Sequence, residues 1–167
     1  MNSLVVFYSF EGHTRFVADI IAEQLNCDTF ELKPVKDIPN EGFLKFFLGG
    51  MNAIFRKKPK LRKPVPDLNK YDMILIGTPV WASSFAPSIN TFLSDSNLNS
   101  KKVSFFLCYA GENCDKCVEK LSKALKGNEI LGKIGFKSPA GNNSDKIKEK
   151  TNAWLSEIKK KGNFEND

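Results

Sequence analysis

Apolar positions along this chain alternate between two periods. Leu4-Val5-Val6-Phe7-Tyr8 is a continuous apolar run of strand length. After a polar loop, Val17, Ile20, Ile21 and Leu25 recur at helical spacing. Cys27 to Lys33 reads as a second strand with Phe30 and Leu32 on one face, and Pro34 and Pro39 then interrupt regular structure. The third strand, Met73-Ile74-Leu75-Ile76-Gly77, is apolar on both faces, as expected of a strand covered by helices on both sides. Phe85 to Leu93 follows as its helix, with Pro87 in the first turn. Val103 to Cys108 gives a fourth strand, and Val118, Leu121 and Leu125 mark a helix after it. Glu129 to Lys137 gives a fifth strand, broken by Gly132 and Gly135. A last helix from about Ser144 carries Ile147, Trp154, Leu155 and Ile158. It closes on Lys159-Lys160-Lys161-Gly162, cations and a glycine where a helix C-terminus favours them.

Strands that alternate with helices imply an α/β domain with a parallel sheet between two helical layers. One domain over residues 1–162 is expected, with a frayed tail at 163–167. Residues 41–66 are the exception to the pattern. Phe43, Phe46, Phe47, Ile54 and Phe55 fall at roughly helical spacing around Gly49-Gly50, and six of the eight residues from Arg56 to Lys63 are basic. Such a segment can lie on a membrane or grip nucleic acid. It equally supplies the crossover that parallel strands two and three require, as a core helix or lid, and that reading is preferred. Residues 59–66 are then an exposed connection.

Composition narrows the class. With 41% apolar and 26% charged residues the chain reads as a soluble globular protein, and its apolar runs are too short to span a bilayer. The start has no basic n-region, so a cytoplasmic protein with reduced cysteines is expected. The net charge of +6 suits an acidic partner, an anionic membrane or nucleic acid. Lysines that only solvate exposed faces explain it more simply, and neither membrane nor nucleic acid is expected as a partner.

Three stretches carry candidate chemistry. Ser9-Phe10-Glu11-Gly12-His13-Thr14 joins the first strand to the first helix. Its backbone N–H groups and the helix dipole make a site for a phosphate. One glycine is too few for a dinucleotide fingerprint, and no Gly-Lys-Ser/Thr follows. Gly77-Thr78-Pro79-Val80-Trp81-Ala82-Ser83 ends the third strand and offers Trp81 for stacking. Cys108-Tyr109-Ala110-Gly111-Glu112-Asn113 ends the fourth. Separately, Cys114-Asp115-Lys116-Cys117 sits at a helix start, where the dipole lowers thiol pKa, although inert surface thiols are the plainer reading. No metal site and no catalytic residue is assigned.

Together the three loops resemble those of flavodoxins. That resemblance implies a flavodoxin-like three-layer αβα sandwich with a five-stranded parallel sheet in the order 2-1-3-4-5, its ligand beyond the carboxyl ends of the strands. It implies FMN as cofactor. Ser9 and Thr14 would bind phosphate through their hydroxyls, and Phe10, Glu11, Gly12, His13 and Arg15 would add backbone N–H groups. Pro79, Val80, Trp81 and Ala82 would line one side of the ring, and Tyr109, Ala110, Gly111 and Glu112 the other edge. Glu11 is expected to turn outward toward Arg15, and His13 to face solvent or the phosphate. Ala82 stands where electron carriers commonly have a glycine whose peptide flips toward the reduced flavin. The expected function is electron transfer with a redox partner protein. The alternative is an NAD(P)H-dependent FMN reductase of quinones or similar acceptors, so enzyme status stays open, as does monomer against homodimer.

Overall fold

The computed structural model describes residues 1–37, 57–140 and 144–164. Strands Ser3–Phe7 (β1), Asp28–Glu31 (β2), Met73–Trp81 (β3), Lys102–Tyr109 (β5) and Glu129–Lys137 (β6) pair in parallel in the order β2-β1-β3-β5-β6. Ser84–Phe85 (β4) folds back antiparallel on the end of β3. Without β4, this is the expected order 2-1-3-4-5. The helices are His13–Leu25 (α1), Pro87–Asp95 (α2), Asp115–Ala124 (α3) and Ser144–Lys161 (α4).

Alternation along the strands builds two cores. Leu4, Val6, Ile74, Ile76 and Phe105 meet Ile89 and Phe92 of α2 and Leu121 of α3 on one face. Val5, Phe7, Leu75 and Phe106 meet Val17 and Ile21 of α1 and Trp154 and Ile158 of α4 on the other. Gly77 of β3 is paired with Phe106 of β5. A Cβ at Gly77 would lie 2.1 Å from the Phe106 ring, so only glycine lets that ring lie across the strand.

Several boundaries differ from the sequence expectation. β3 does not stop at Gly77 but runs to Trp81, because β5 pairs with it as far as Pro79↔Cys108 and β4 then continues the pairing. Phe85 therefore belongs to β4, and α2 starts at Pro87, in its first turn. β6 is continuous through both glycines, with a single register shift opposite Val103/Ser104. The basic connection is pinned rather than loose. Pro34 and Leu61 form an antiparallel bridge, with Val35 N donating to Lys60 O and Arg62 N to Lys33 O, both at 2.8 Å. Thr91 Oγ1 of α2 donates to Pro59 O at 2.8 Å. The apolar part of that segment, Phe43 to Phe55, lies outside the described residues. At the other end, Phe164 packs against the second core beneath Lys102 Nζ, 4.6 Å from its ring centre. Among the described residues no helix is long and apolar enough to cross a membrane.

Gly77→Ala should destabilise the protein by about 1–3 kcal/mol through overpacking against Phe106. Urea denaturation checks this, and Phe106→Leu should recover part of the loss in the double variant.

Candidate functional site

The carboxyl ends of β1, β3 and β5 bring the three sequence loops to one edge of the sheet. At the first, Gly12 takes φ +88°, a left-handed conformation that lets the chain turn sharply into α1. Gly12 offers the helix no side-chain cap. Ser9 Oγ instead accepts the Arg15 N–H at 3.1 Å, which leaves its own hydroxyl hydrogen to donate outward. Thr14 is 1% exposed and its Oγ1 has no hydrogen-bond partner of good geometry, although the Cys108 thiol lies against it. An unmet hydroxyl buried in the first turn of a helix is costly unless something polar meets it. A phosphate in this loop would do so, and the loop's donors suit one.

Two expected side-chain roles are corrected here. Arg15 pairs with Glu31 at the end of β2 rather than with Glu11, because the Phe7↔Glu31 pairing brings that carboxylate beneath the helix. Glu11 itself is exposed. His13 is half-buried, which corrects only the first of its two expected placements, toward solvent or toward the phosphate. Its Nδ1 accepts the backbone N–H of Ala140 at 3.0 Å, tying the loop to the segment between β6 and α4. In the neutral ring Nε2–H is then the free donor.

The second loop is a hairpin. Val80↔Phe85 and Trp81↔Ser84 are paired, which leaves Ala82 and Ser83 as a two-residue turn with φ +46° and +56°. Positive φ at both central positions matches the right-handed strand twist and ordinarily draws Asn-Gly. With Ala and Ser there, each residue holds a conformation costing about 1–2 kcal/mol. Thr78, fully buried, staples the turn: its Oγ1 accepts Ala86 N–H at 3.0 Å and donates to Pro79 O at 2.9 Å. Trp81 is braced edge-on by Tyr8 (ring centres 5.5 Å apart, 82°) and by Phe10 (5.7 Å, 85°). Tyr8 in turn donates its hydroxyl to Asp37 at 2.8 Å, and burial, then that carboxylate, push its pKa up. Thr78 stood in the sequence motif without a role, and Tyr8 was read only as strand. Both are positioning residues for Trp81.

In the third loop Ala110, Gly111 and Glu112 are exposed. Tyr109 does not swing toward the crevice. Its ring lies on β6, where a Cβ at Gly135 would come 3.1 Å from it and 2.8 Å from Cys114 Sγ. The adjacent cysteines depart from the dipole argument. Burial raises the Cys114 thiol, and it pushes Cys117, wholly buried in α3, up to about 12. Desolvation outweighs the helix terminus at both, and Cys117 is a buried rather than a surface thiol. Cys108 is likewise pushed to about 12 and Cys27 to about 11.

Two outcomes follow from these geometries. Ala82→Gly should stabilise the protein by about 1 kcal/mol in a urea melt, since glycine carries no left-handed penalty. The raised thiols fix the sign of an alkaline effect. Below about pH 9 both folded and unfolded thiols are protonated and the contribution is complete. Above it the unfolded chain loses protons that the fold retains, so stability falls by up to about 1.4 kcal/mol per pH unit for each thiol. Melts from pH 8 to 10 should show this slope, and Cys117→Ala should reduce it.

The comparisons with known proteins agree with this geometry. A flavoprotein from Lactobacillus acidophilus NCFM, solved in complex with FMN, superposes with a TM-score of 0.73 at 23% identity, covering 92% of this chain and 98% of its own. Its apo form gives 0.62 at 24% identity, covering 84% and 95%. Oxidised flavodoxin 2 from Bacillus cereus gives 0.58 at 20% identity, covering 93% and 99%. These likenesses show the fold. No curated protein matches the chain. The sequence model of the flavodoxin family matches residues 50–161, which takes in the Trp81 hairpin, the β5 loop and α4. This chain therefore belongs to the flavodoxin family.

Proposed function

We propose that the protein binds FMN across the carboxyl edge of its sheet and works in electron transfer with a redox partner protein. The observation that carries the reading is the Ala82–Ser83 turn beside Trp81. Two non-glycine residues held at positive φ, stapled by a buried threonine, store strain where the flavin ring would lie. The phosphate half of the site draws on Ser9, Thr14 and the N–H groups from Phe10 to His13, the Arg15 N–H being donated to Ser9 Oγ in this structure. The ring half draws on Pro79, Val80, Trp81 and Ala82, with Ala110, Gly111 and Glu112 at the far edge; Tyr109, whose ring lies against Gly135, is left out of it. Bound FMN supplies the redox chemistry. The chain's own residues place it: Tyr8 and Phe10 fix Trp81 as a stacking surface, Thr78 fixes the turn, and the loop donors hold the phosphate.

Ala82 stands at the position of the carriers' glycine and already occupies the left-handed region here, so the cost of the conformation is present before any reduction. A reductase is the second reading, favoured by one contact. With Tyr109 lying against Gly135, the ring's outer face is left open to a hydride donor.

Thr14→Val separates the phosphate role from folding. It removes a buried hydroxyl that makes no well-formed hydrogen bond and has the Cys108 thiol against it, so apoprotein stability should change little, while FMN affinity should fall about tenfold or more. Riboflavin, which lacks the phosphate, should bind both forms alike; equal loss for both ligands would refute the assignment. Redox titration of the FMN-loaded protein tests the turn. Because the left-handed cost stands before reduction, Ala82→Gly should leave the reduction potentials nearly unchanged; a shift of tens of mV, at about 40 mV per kcal/mol for one electron, would show that the turn changes conformation on reduction. Turnover of NADH or NADPH with a quinone at about one per second or more would favour the reductase.

A further inference from the structure

We propose that the ridge formed by Lys36, Lys57, Lys60 and Lys63 is the docking surface for an acidic redox protein, which exchanges electrons with the flavin beside it. This rests on the electron-transfer reading above and names the partner's chemistry. Three observations converge on it.

The first is charge that the fold leaves unspent. The neighbouring carboxylates are engaged elsewhere. Glu31 holds Arg15 and Lys33, Asp37 accepts from Tyr8, and Asp67 caps the Asn69 N–H at 3.0 Å. Lys36, Lys57, Lys60 and Lys63 are exposed and have no carboxylate partner among the described residues.

The second is rigidity. The ridge is held in place by the Pro34↔Leu61 bridge, by two backbone hydrogen bonds of 2.8 Å, and by Arg62 Nε donating to Pro34 O at 3.1 Å. On its far side Lys58 Nζ donates to Ser94 Oγ at 2.9 Å and Thr91 holds Pro59. A surface ordered before binding loses little entropy when a partner arrives.

The third is position and texture. Lys36, Lys57 and Lys58 line a cleft of about 280 Å³ together with Tyr8 and Trp81, so the ridge borders the residue expected to stack on the flavin. Among the lysines stands Val35, 49% exposed and one of two large hydrophobics exposed among the described residues. An apolar contact point ringed by cations suits a protein interface, in which steering charges surround a small desolvated centre. Phosphate backbone binding would make no use of it.

The test uses a plant-type [2Fe–2S] ferredoxin as an acidic one-electron probe. Two reduced ferredoxins supply the two electrons of one FMN, with protons taken from solvent. In stopped flow, the rate constant for flavin reduction should fall at least tenfold between about 20 and about 300 mM salt. The combined variant Lys57→Glu, Lys60→Glu, Lys63→Glu should lower the low-salt rate by about tenfold or more. Oxidation of the reduced protein by cytochrome c, a basic acceptor, should speed up in that variant. Photoreduction by deazariboflavin, a neutral donor, and the bound flavin spectrum should not change, which excludes a folding defect. A ferredoxin rate indifferent to both salt and charge reversal overturns the proposal. So does duplex DNA that the wild type binds at physiological salt and the variant does not, with ferredoxin rates unaltered. Calorimetric binding of oxidised ferredoxin to the apoprotein needs no flavin. If FMN fails to bind, the functional reading falls alone, while salt-sensitive ferredoxin binding lost in the variant still supports the ridge, and its absence still sinks it.

Discussion

The Phe106 ring lying across Gly77 sets the register on which the rest of the site depends. It locks β3 against β5 with Gly77 opposite Phe106, and the following pair, Thr78 with Leu107, comes from that register alone. Thr78 is thereby fully buried, where its hydroxyl has no water to fall back on. It must find protein partners, and it finds them in Ala86 N–H and Pro79 O. Those two bonds close the β3–β4 hairpin, and the hairpin fixes Trp81. Each bond contributes about 1 kcal/mol net, more if its loss would strand a buried group. That is the same order as the left-handed penalties at Ala82 and Ser83, so the staple is what allows an Ala-Ser turn to persist.

Periodicity made most of the sheet and all four described helices legible, because each buries one stripe or one strand face. It did not reveal β4. A two-residue hairpin is usually announced by Asn-Gly or a similar pair, and Ala82-Ser83 announces nothing. The turn exists because of tertiary contacts at Thr78, which local propensity does not encode. The same holds for the misassigned partners. Arg15 was matched with Glu11 by helical spacing, yet strand pairing places Glu31 closer to the guanidinium. The His13 partner, Ala140, is separated from it by most of the chain.

The dipole argument at Cys114 and Cys117 fails for a different reason. Helix position was legible in Cys114-Asp115-Lys116-Cys117, but the sign of the pKa shift depends on exposure, which the sequence expressed only as spacing. Cys117 falls on the inward face of α3 with Leu121, so desolvation decides. The candidate loops, in contrast, were legible because they combine residue types whose backbone properties matter locally: glycine where φ is positive, hydroxyls where donors must be met. Side-chain orientation within them was not, as the retreat of Tyr109 onto Gly135 shows.

Two electrostatic scales operate at this edge, and they use different groups. The proposed phosphate site at α1 would rely on backbone N–H groups and the Ser9 and Thr14 hydroxyls, whose influence ends within a turn of helix. The proposed lysine ridge would act across a Debye length of about 8 Å at physiological salt and needs no contact with the cofactor. Keeping the two apart has a physical advantage. Cations inside the crevice would add to phosphate affinity but would be neutralised by it, whereas cations outside keep their field when FMN is bound. Glu31 marks the boundary between them. By taking up both Arg15 and Lys33, it damps the positive charge next to the phosphate loop and leaves the lysines beyond the Pro34–Leu61 bridge to face solvent.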